Sequence, residues 1–85
     1  NPKPGAYTFF RNLRLKVHRS KIAGATPSGE PGQIIRLSKE GFVIACGAGA
    51  LELLEVQPEA KARMSGIDFV HGYKLKVGDR FGESV

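Results

Sequence analysis

The sequence predicts a mainly β fold, an antiparallel barrel of five or six strands with one short helix near residues 66–71, and three features of the chain lead there. The first lies between Gly32 and Gln57. Here the apolar runs Ile34–Leu37, Phe42–Cys46 and Ala50–Val56 are separated only by Ser38-Lys39-Glu40-Gly41 and Cys46-Gly47-Ala48-Gly49. Short links ending on glycines that accept positive φ reverse the chain and make an antiparallel meander. The middle run is apolar at every position, so both of its faces are enclosed, as in a small barrel or sandwich. The second feature is Leu13-Arg14-Leu15-Lys16-Val17-His18, whose strict alternation sends Leu13, Leu15 and Val17 to a core and Arg14, Lys16 and His18 to solvent. The third is Ser65, followed three residues on by Asp68 and bracketed by Met64 and Phe69. These supply an N-cap, a capping box and a hydrophobic staple for a short helix.

Taken in order, the chain opens with Asn1-Pro2-Lys3-Pro4-Gly5-Ala6, which its two prolines hold extended. An opening of this kind without an initiating methionine leads to the expectation of a piece cut from a longer protein. Tyr7-Thr8-Phe9-Phe10 is a first strand, rich in aromatic and β-branched residues, and Asn12 falls in the turn after it. The alternating segment follows, extended in basic character by Arg19 and Lys21 and closed by Ile22. Ala23 to Pro31 is the longest loop, set by Gly24, Pro27, Gly29 and Pro31. Within the third run of the meander, Leu53-Leu54 breaks the alternation, which predicts a bulge or a sharp bend. Pro58-Glu59 turns the chain, and Lys61-Ala62-Arg63 leads into the helix, which Gly72 ends. Tyr73, Leu75 and Val77 alternate with Lys74 and Lys76 as a further short strand, and Gly78-Asp79 is a last turn.

A chain of 85 residues is read as one domain, 1–85. At this size only about 60–65% of the unfolded surface is buried, which favours a binding module or a fragment over a complete enzyme. No apolar run approaches the roughly 18 residues of a membrane span and nothing resembles a signal peptide, so the expected setting is soluble and cytoplasmic, with no membrane partner. The single Cys46 forms no internal disulfide and packs in a core strand, and with only His18 and His71 beside it there is no metal-ligand spacing. The net charge of +5 is unevenly placed. Residues 1 to 22 carry Lys3, Arg11, Arg14, Lys16, Arg19 and Lys21 and no acid, whereas the remainder is close to neutral.

Catalytic groupings are absent from this pattern. Ser20, Ser28, Ser38, Ser65 and Ser84 lack a nucleophile-elbow setting, and Ser65 is accounted for as a cap. Gly47-Ala48-Gly49 lies between antiparallel strands and opens no helix, so it is not a phosphate loop. The basic stretch remains: Arg11, Arg14, Lys16, His18, Arg19 and Lys21 form a patch of positive potential suited to phosphate, with Lys61 and Arg63 adding to it from the loop before the helix. Tyr7, Phe9 and Phe10 stand close enough to stack bases, with at least one of them going to the core.

Several segments together resemble the carboxy-terminal domain of bacterial methionyl-tRNA formyltransferase. They are Asn1 to Ala6, Pro31-Gly32-Gln33-Ile34, Ala45-Cys46-Gly47-Ala48-Gly49-Ala50-Leu51, Leu54 to Lys61 and Met64-Ser65, with Phe69 and Gly72. The resemblance covers nearly the whole chain and implies an OB-like, partly open Greek-key barrel. It implies a preceding catalytic domain with a Rossmann-like fold, whose Asn, His and Asp transfer a formyl group from 10-formyltetrahydrofolate to the amino group of methionyl initiator tRNA. It further implies that this chain carries no catalytic residue and no cofactor, and acts as a monomer whose partners are tRNA and that amino-terminal domain. The tRNA is held largely by its backbone. Two positions depart from the family pattern: Lys3, where Trp is frequent, and Ala60, where Gly is usual. The second argues against a positive-φ turn after Pro58, since alanine resists that conformation. Two alternatives stand beside this reading: the supporting barrel of a formyltransferase acting on a small molecule such as a sugar nucleotide, and a free-standing OB-type nucleic-acid binder. The three differ in RNA preference: folded tRNA, none, and unstructured strands.

Overall fold

In a computed structural model describing residues 6–10, 13–24, 30–46 and 49–81, the period-two segments form strands in the order expected. They are β1 (Ala6–Phe10), β2 (Leu13–Gly24), β3 (Ile34–Leu37), β4 (Phe42–Cys46), β5 (Gly49–Pro58) and β6 (Met64–Ser65), followed by helix α1 (Gly66–Tyr73). Every pairing is antiparallel. The sheet runs β1-β2-β5-β4-β3, with β6 joining β5. β3, β4 and β5 are the meander, and β5 returns beside β2, which gives these four strands a Greek-key order. The sheet is not closed, because among the described residues no ladder joins β1 to β3. Residues 78–81 occupy the free edge of β3 instead. The Ile34 N–H donates to the Asp79 carbonyl at 2.7 Å, Gly78 to Ile34 at 2.9 Å and Phe81 to Gly32 at 2.6 Å. The start of that edge is thereby covered without closing a barrel.

The main core cluster forms on one face of the sheet, and Val43 and Ala45 of β4 are buried on the other, so this middle strand is enclosed on both sides as expected. Phe10, Leu15, Val17, Ile34, Phe42 and Ile44 pack with Leu53 and Val56 of β5, and Phe69 and Val70 of α1 lie over them. Phe81 fills the open end: its ring stacks on Phe10 with centroids 4.7 Å apart and on Phe42 at 5.3 Å. The Leu53-Leu54 doublet marks a bulge, as its broken alternation requires. In the β2–β5 ladder Val17 faces Val56 and Arg19 faces Glu55, so His18 is an extra residue on β2; Ser20 then faces Leu53, so Leu54 is an extra residue on β5. Both leucines are buried. At this point β5 also changes its other neighbour, from β4 up to Leu53 to β6 at Glu55 and Val56.

The start of α1 is as the sequence indicates, with Ser65 Oγ accepting from the Asp68 N–H at 3.1 Å. Its end is not. Gly72 lies inside the helix and exposed, and the left-handed residue at the C-cap is Lys74, with φ 55° and ψ 50°. Packing carries the helix further than glycine would allow it to stop: the Tyr73 ring lies 4.5 Å from Phe69, Leu75 is buried, and its N–H donates to Val70 O at 3.0 Å. The strand expected over Tyr73–Val77 is therefore absent, and Val77 is 58% exposed. β2 extends through Ala23 and Gly24, which were expected in a loop. Asn12, the body of that loop at 25–29, Gly47-Ala48 and the side chain of Cys46 lie outside the described residues. No described helix is long and apolar enough to cross a membrane.

Gly41 serves close approach rather than positive φ: the positive-φ glycines among the described residues are Gly32 and Gly78. A Cβ on Gly41 would stand 1.9 Å from Leu53 O, and one on Gly66 would stand 2.2 Å from the same oxygen and 2.8 Å from Gly41 Cα. Two glycines thus flank one carbonyl, and the helix start lies against the β3–β4 hairpin, where the Ile67 N–H donates to Glu40 O at 3.0 Å. The same substitution should therefore have opposite signs at two positions of one helix. Gly66→Ala should destabilise by about 1–3 kcal/mol, the usual effect of overpacking. Gly72→Ala, with nothing within 4 Å of the new methyl, should stabilise by about 0.5–1 kcal/mol. Urea unfolding of both variants reads the signs, and shifts in the same direction would contradict the close approach.

Candidate nucleic-acid interface

On the face of the sheet opposite the core, cross-strand partners share a side, so the register decides which residues stand together. Phe9 faces Arg14 and Tyr7 faces Lys16 across β1–β2, and Lys16 faces Gln57 across β2–β5. Tyr7 is 51% and Phe9 37% exposed, whereas Phe10, on the opposite side of β1, is 2% exposed and belongs to the core. The Arg14 guanidinium lies over the Tyr7 ring, 4.5 Å from its centroid, a cation–π contact that holds the charge at the aromatic face.

The paired bulges determine what happens beyond His18. Without them Arg14, Lys16 and His18 would share a face from which Arg19 and Lys21 were excluded. The extra residue switches parity, so Arg19 stands opposite Glu55, and Lys21 opposite Glu52, with which it forms an ion pair at 3.7 Å. Arg63 pairs with Glu55 at 3.7 Å. In both pairs an exposed cation meets a half-buried carboxylate, which offsets the charge of Lys21 and of Arg63. None of the ion pairs among the described residues involves Arg14, Lys16, Arg19 or Lys61.

The backbone of Lys61 is tied to this face by Gln57. The Gln57 side-chain amide donates to the Lys61 carbonyl at 2.9 Å, which leaves its Oε1 to accept from His18 Nε2 at 2.8 Å. His18, expected to stand free in solvent, is half-buried and serves as this tie between β2 and the loop. The turn itself is fixed at both ends: the Glu59 N–H donates to Arg14 O at 2.9 Å and the Lys61 N–H to Pro58 O at 3.0 Å. Its third residue, Ala60, has φ 67°. The positive-φ turn that alanine argued against is present, because the hydrogen bonds on either side hold the backbone there. Between this turn and the Tyr7–Arg14–Lys16 corner lies an open groove of about 250 Å³, whose wall includes Gln57 and Glu59.

Of the basic residues singled out in the sequence, Arg14, Lys16, His18, Arg19 and Lys61 are thus assembled, Lys21 and Arg63 are present but paired, and Arg11 lies outside the described residues. Gln57 and Glu59 were not singled out. Gln57 stands at an outward position in an alternating strand just before a proline turn, inside one of the segments that carry the family resemblance.

A family profile described as formyl transferase, C-terminal domain, matches residues 1–74. The chain is 42% identical over 83 residues to the methionyl-tRNA formyltransferase of Geobacter sulfurreducens, 98% of this chain and 26% of that protein being covered. Over 82 residues it is 43% identical to the enzyme of the same name from Acidithiobacillus ferrooxidans, covering 96% of this chain and 26% of that protein. Over 84 residues it is 48% identical to that from Streptococcus pyogenes, again covering 96% and 26%. The chain therefore spans about a quarter of the length of these relatives.

The left-handed region costs an L-residue about 1–2 kcal/mol, and glycine loses about 0.5–1 kcal/mol more than alanine in backbone entropy. Ala60→Gly should accordingly raise stability by up to about 1 kcal/mol, read as a higher urea midpoint. A lower midpoint would mean that the Ala60 methyl contributes packing that outweighs the strain.

Proposed function

Since the chain belongs to the formyl transferase C-terminal domain family, we propose that it serves in a methionyl-tRNA formyltransferase by holding the tRNA backbone on the outward face of β1, β2 and β5. The observation that carries this is the gathering of Arg14, Lys16, Arg19 and Lys61 on one side, with no ion pair among the described residues to neutralise them. Cations held this way attract phosphate and release counterions on binding. Lys21 and Arg63 contribute less, because phosphate must compete with Glu52 and Glu55 for them. The name that the relatives carry favours tRNA over a small-molecule acceptor.

In this reading the formyl group comes from 10-formyltetrahydrofolate through an amino-terminal catalytic domain of the same protein, in the cytoplasm. The groove beside Tyr7 is open to solvent and shallow for a folate-sized donor, and its cations belong to the phosphate-binding face. No step of the transfer is routed through it. The role of this chain's residues is to bind and orient, which supplies proximity for chemistry carried out elsewhere. Incubated alone with the formyl donor and methionyl-tRNA, the chain should leave the amino group free; turnover above a protein-free control would contradict this division of labour.

Phosphate contacts carry no sequence information, so initiator and elongator tRNA should bind nearly alike. With about four such contacts, log K should fall with log salt at a slope of roughly −3 to −4. Arg14→Ala combined with Lys16→Ala should flatten that slope by about two and weaken all tRNAs together. Lys39→Ala, in the turn between β3 and β4, should do neither. Filter binding over a salt series makes the comparison, and equal affinities for the double variant and the Lys39 control would place the RNA away from this face.

A further inference from the structure

We propose that Tyr7, Phe9 and the Arg14 guanidinium form a stacking platform for an unpaired RNA base, so that this face takes a junction of paired and unpaired RNA rather than duplex backbone alone. The inference rests on the reading of the face as the tRNA-binding one.

Its first support is the division of the seven aromatic residues. Phe10, Phe42, Phe69 and Phe81 pack on one another in the core, and Tyr73 packs on Phe69. The other two, Tyr7 and Phe9, stand outside on one side of β1. Large apolar rings left in water forgo the burial that the other five obtain, and an edge strand is a poor place for them, since it invites pairing with other chains. Their position is not random with respect to charge. Each faces a cation across the ladder, Tyr7 with Lys16 and Phe9 with Arg14.

The second support is the Arg14–Tyr7 stack. Aromatic rings and guanidinium planes are the groups on which unpaired bases stack in RNA recognition, and here one of each is already laid together. The third is the groove next to them. At about 250 Å³ and open to solvent, it falls below the roughly 300–1,000 Å³ of small-molecule pockets, and it suits one flat group laid in from the side. Glu59 on its wall repels phosphate, which keeps the backbone on the Arg14–Lys16 side and the base edge toward the turn.

Binding of the chain to a short single-stranded RNA of mixed sequence and to a blunt RNA duplex with the same number of phosphates separates stacking from charge. Tyr7→Leu and Phe9→Leu should each weaken the single strand by about 5- to 150-fold, the worth of one stacked base, without changing the salt slope. The duplex should lose no more than about twofold. Tyr7→Phe should recover most of the single-strand affinity. Arg14→Lys, which keeps the charge and removes the plane, should weaken the single strand at an unchanged slope, and it tests the same platform if Tyr7→Leu lowers stability. Equal losses on both RNAs, or none on either, would overturn the platform while leaving the phosphate reading intact; such silence is what a protein-docking face would give. Failure of the unmodified chain to bind either RNA would overturn both.

Discussion

The antiparallel pairing of β2 with β5 is the constraint from which both faces of the protein follow. It runs from Leu15 opposite Pro58 to Gly24 opposite Ala50 and holds the centre of the sheet. A slip of one residue in such a ladder would exchange core for surface along its whole length. The two bulges avoid that by opposing one another. His18 is extra on β2 and Leu54 is extra on β5, so the register lost at Arg19 is restored at Ser20, and the strands continue in step to Ile22 opposite Leu51. Each strand changes parity, and the pairing keeps step until a further shift between Ile22 and Gly24 at the end of the ladder. The buried side keeps Val17, Val56 and Leu53, while the outward side gains Arg19 and Lys21.

How much of this the sequence reveals depends on whether the signal is local. The alternation over Leu13–His18, the meander from Ile34 onward and the Ser65 cap are properties of neighbouring residues, and all three appear where they were expected. Leu53-Leu54 signals a bulge because it breaks a local rhythm, yet its opposite number on β2 is visible only as the point where a basic run ceases to alternate. The end of α1 is not local: Gly72 is a strong stop by its own chemistry, whereas the helix is extended by Tyr73 on Phe69 and by the burial of Leu75. Gly41 was assigned the right importance for the wrong reason. Its need is set by Leu53 O and Gly66, which are distant in sequence.

The site was less legible than the fold for the same reason. Counting charges locates a basic segment but does not say which charges remain available. Two of the basic residues, Lys21 and Arg63, meet Glu52 and Glu55, and those acids come from a strand far along the chain. Lys61 joins the face through Gln57, whose amide links it to His18 by hydrogen bonds that no spacing rule anticipates. The amino-terminal charge excess supplies Arg14, Lys16 and Arg19, and the β2–β5 register decides which neighbouring cations meet an acid.

Two features of this face run against the stability of the fold. Among the described residues β1 pairs with β2 alone and carries exposed rings on the outward side, and the turn beside it holds Ala60 in a conformation suited to glycine. Elsewhere the protein satisfies its own rules: among the described residues no buried side-chain polar atom lacks a hydrogen bond, and the remaining aromatics are packed. Local departures that the rest of a fold compensates are expected where function imposes a shape. Here both departures border one groove, and both are held by contacts that end on the same strand segment: Arg14 lies on Tyr7 with its side chain and accepts the Glu59 N–H with its carbonyl. A substitution that displaces Arg14 therefore reaches the Tyr7 contact and the turn together. The three parts of the candidate surface, ring, cation and loop, are thus one mechanical unit built on β2.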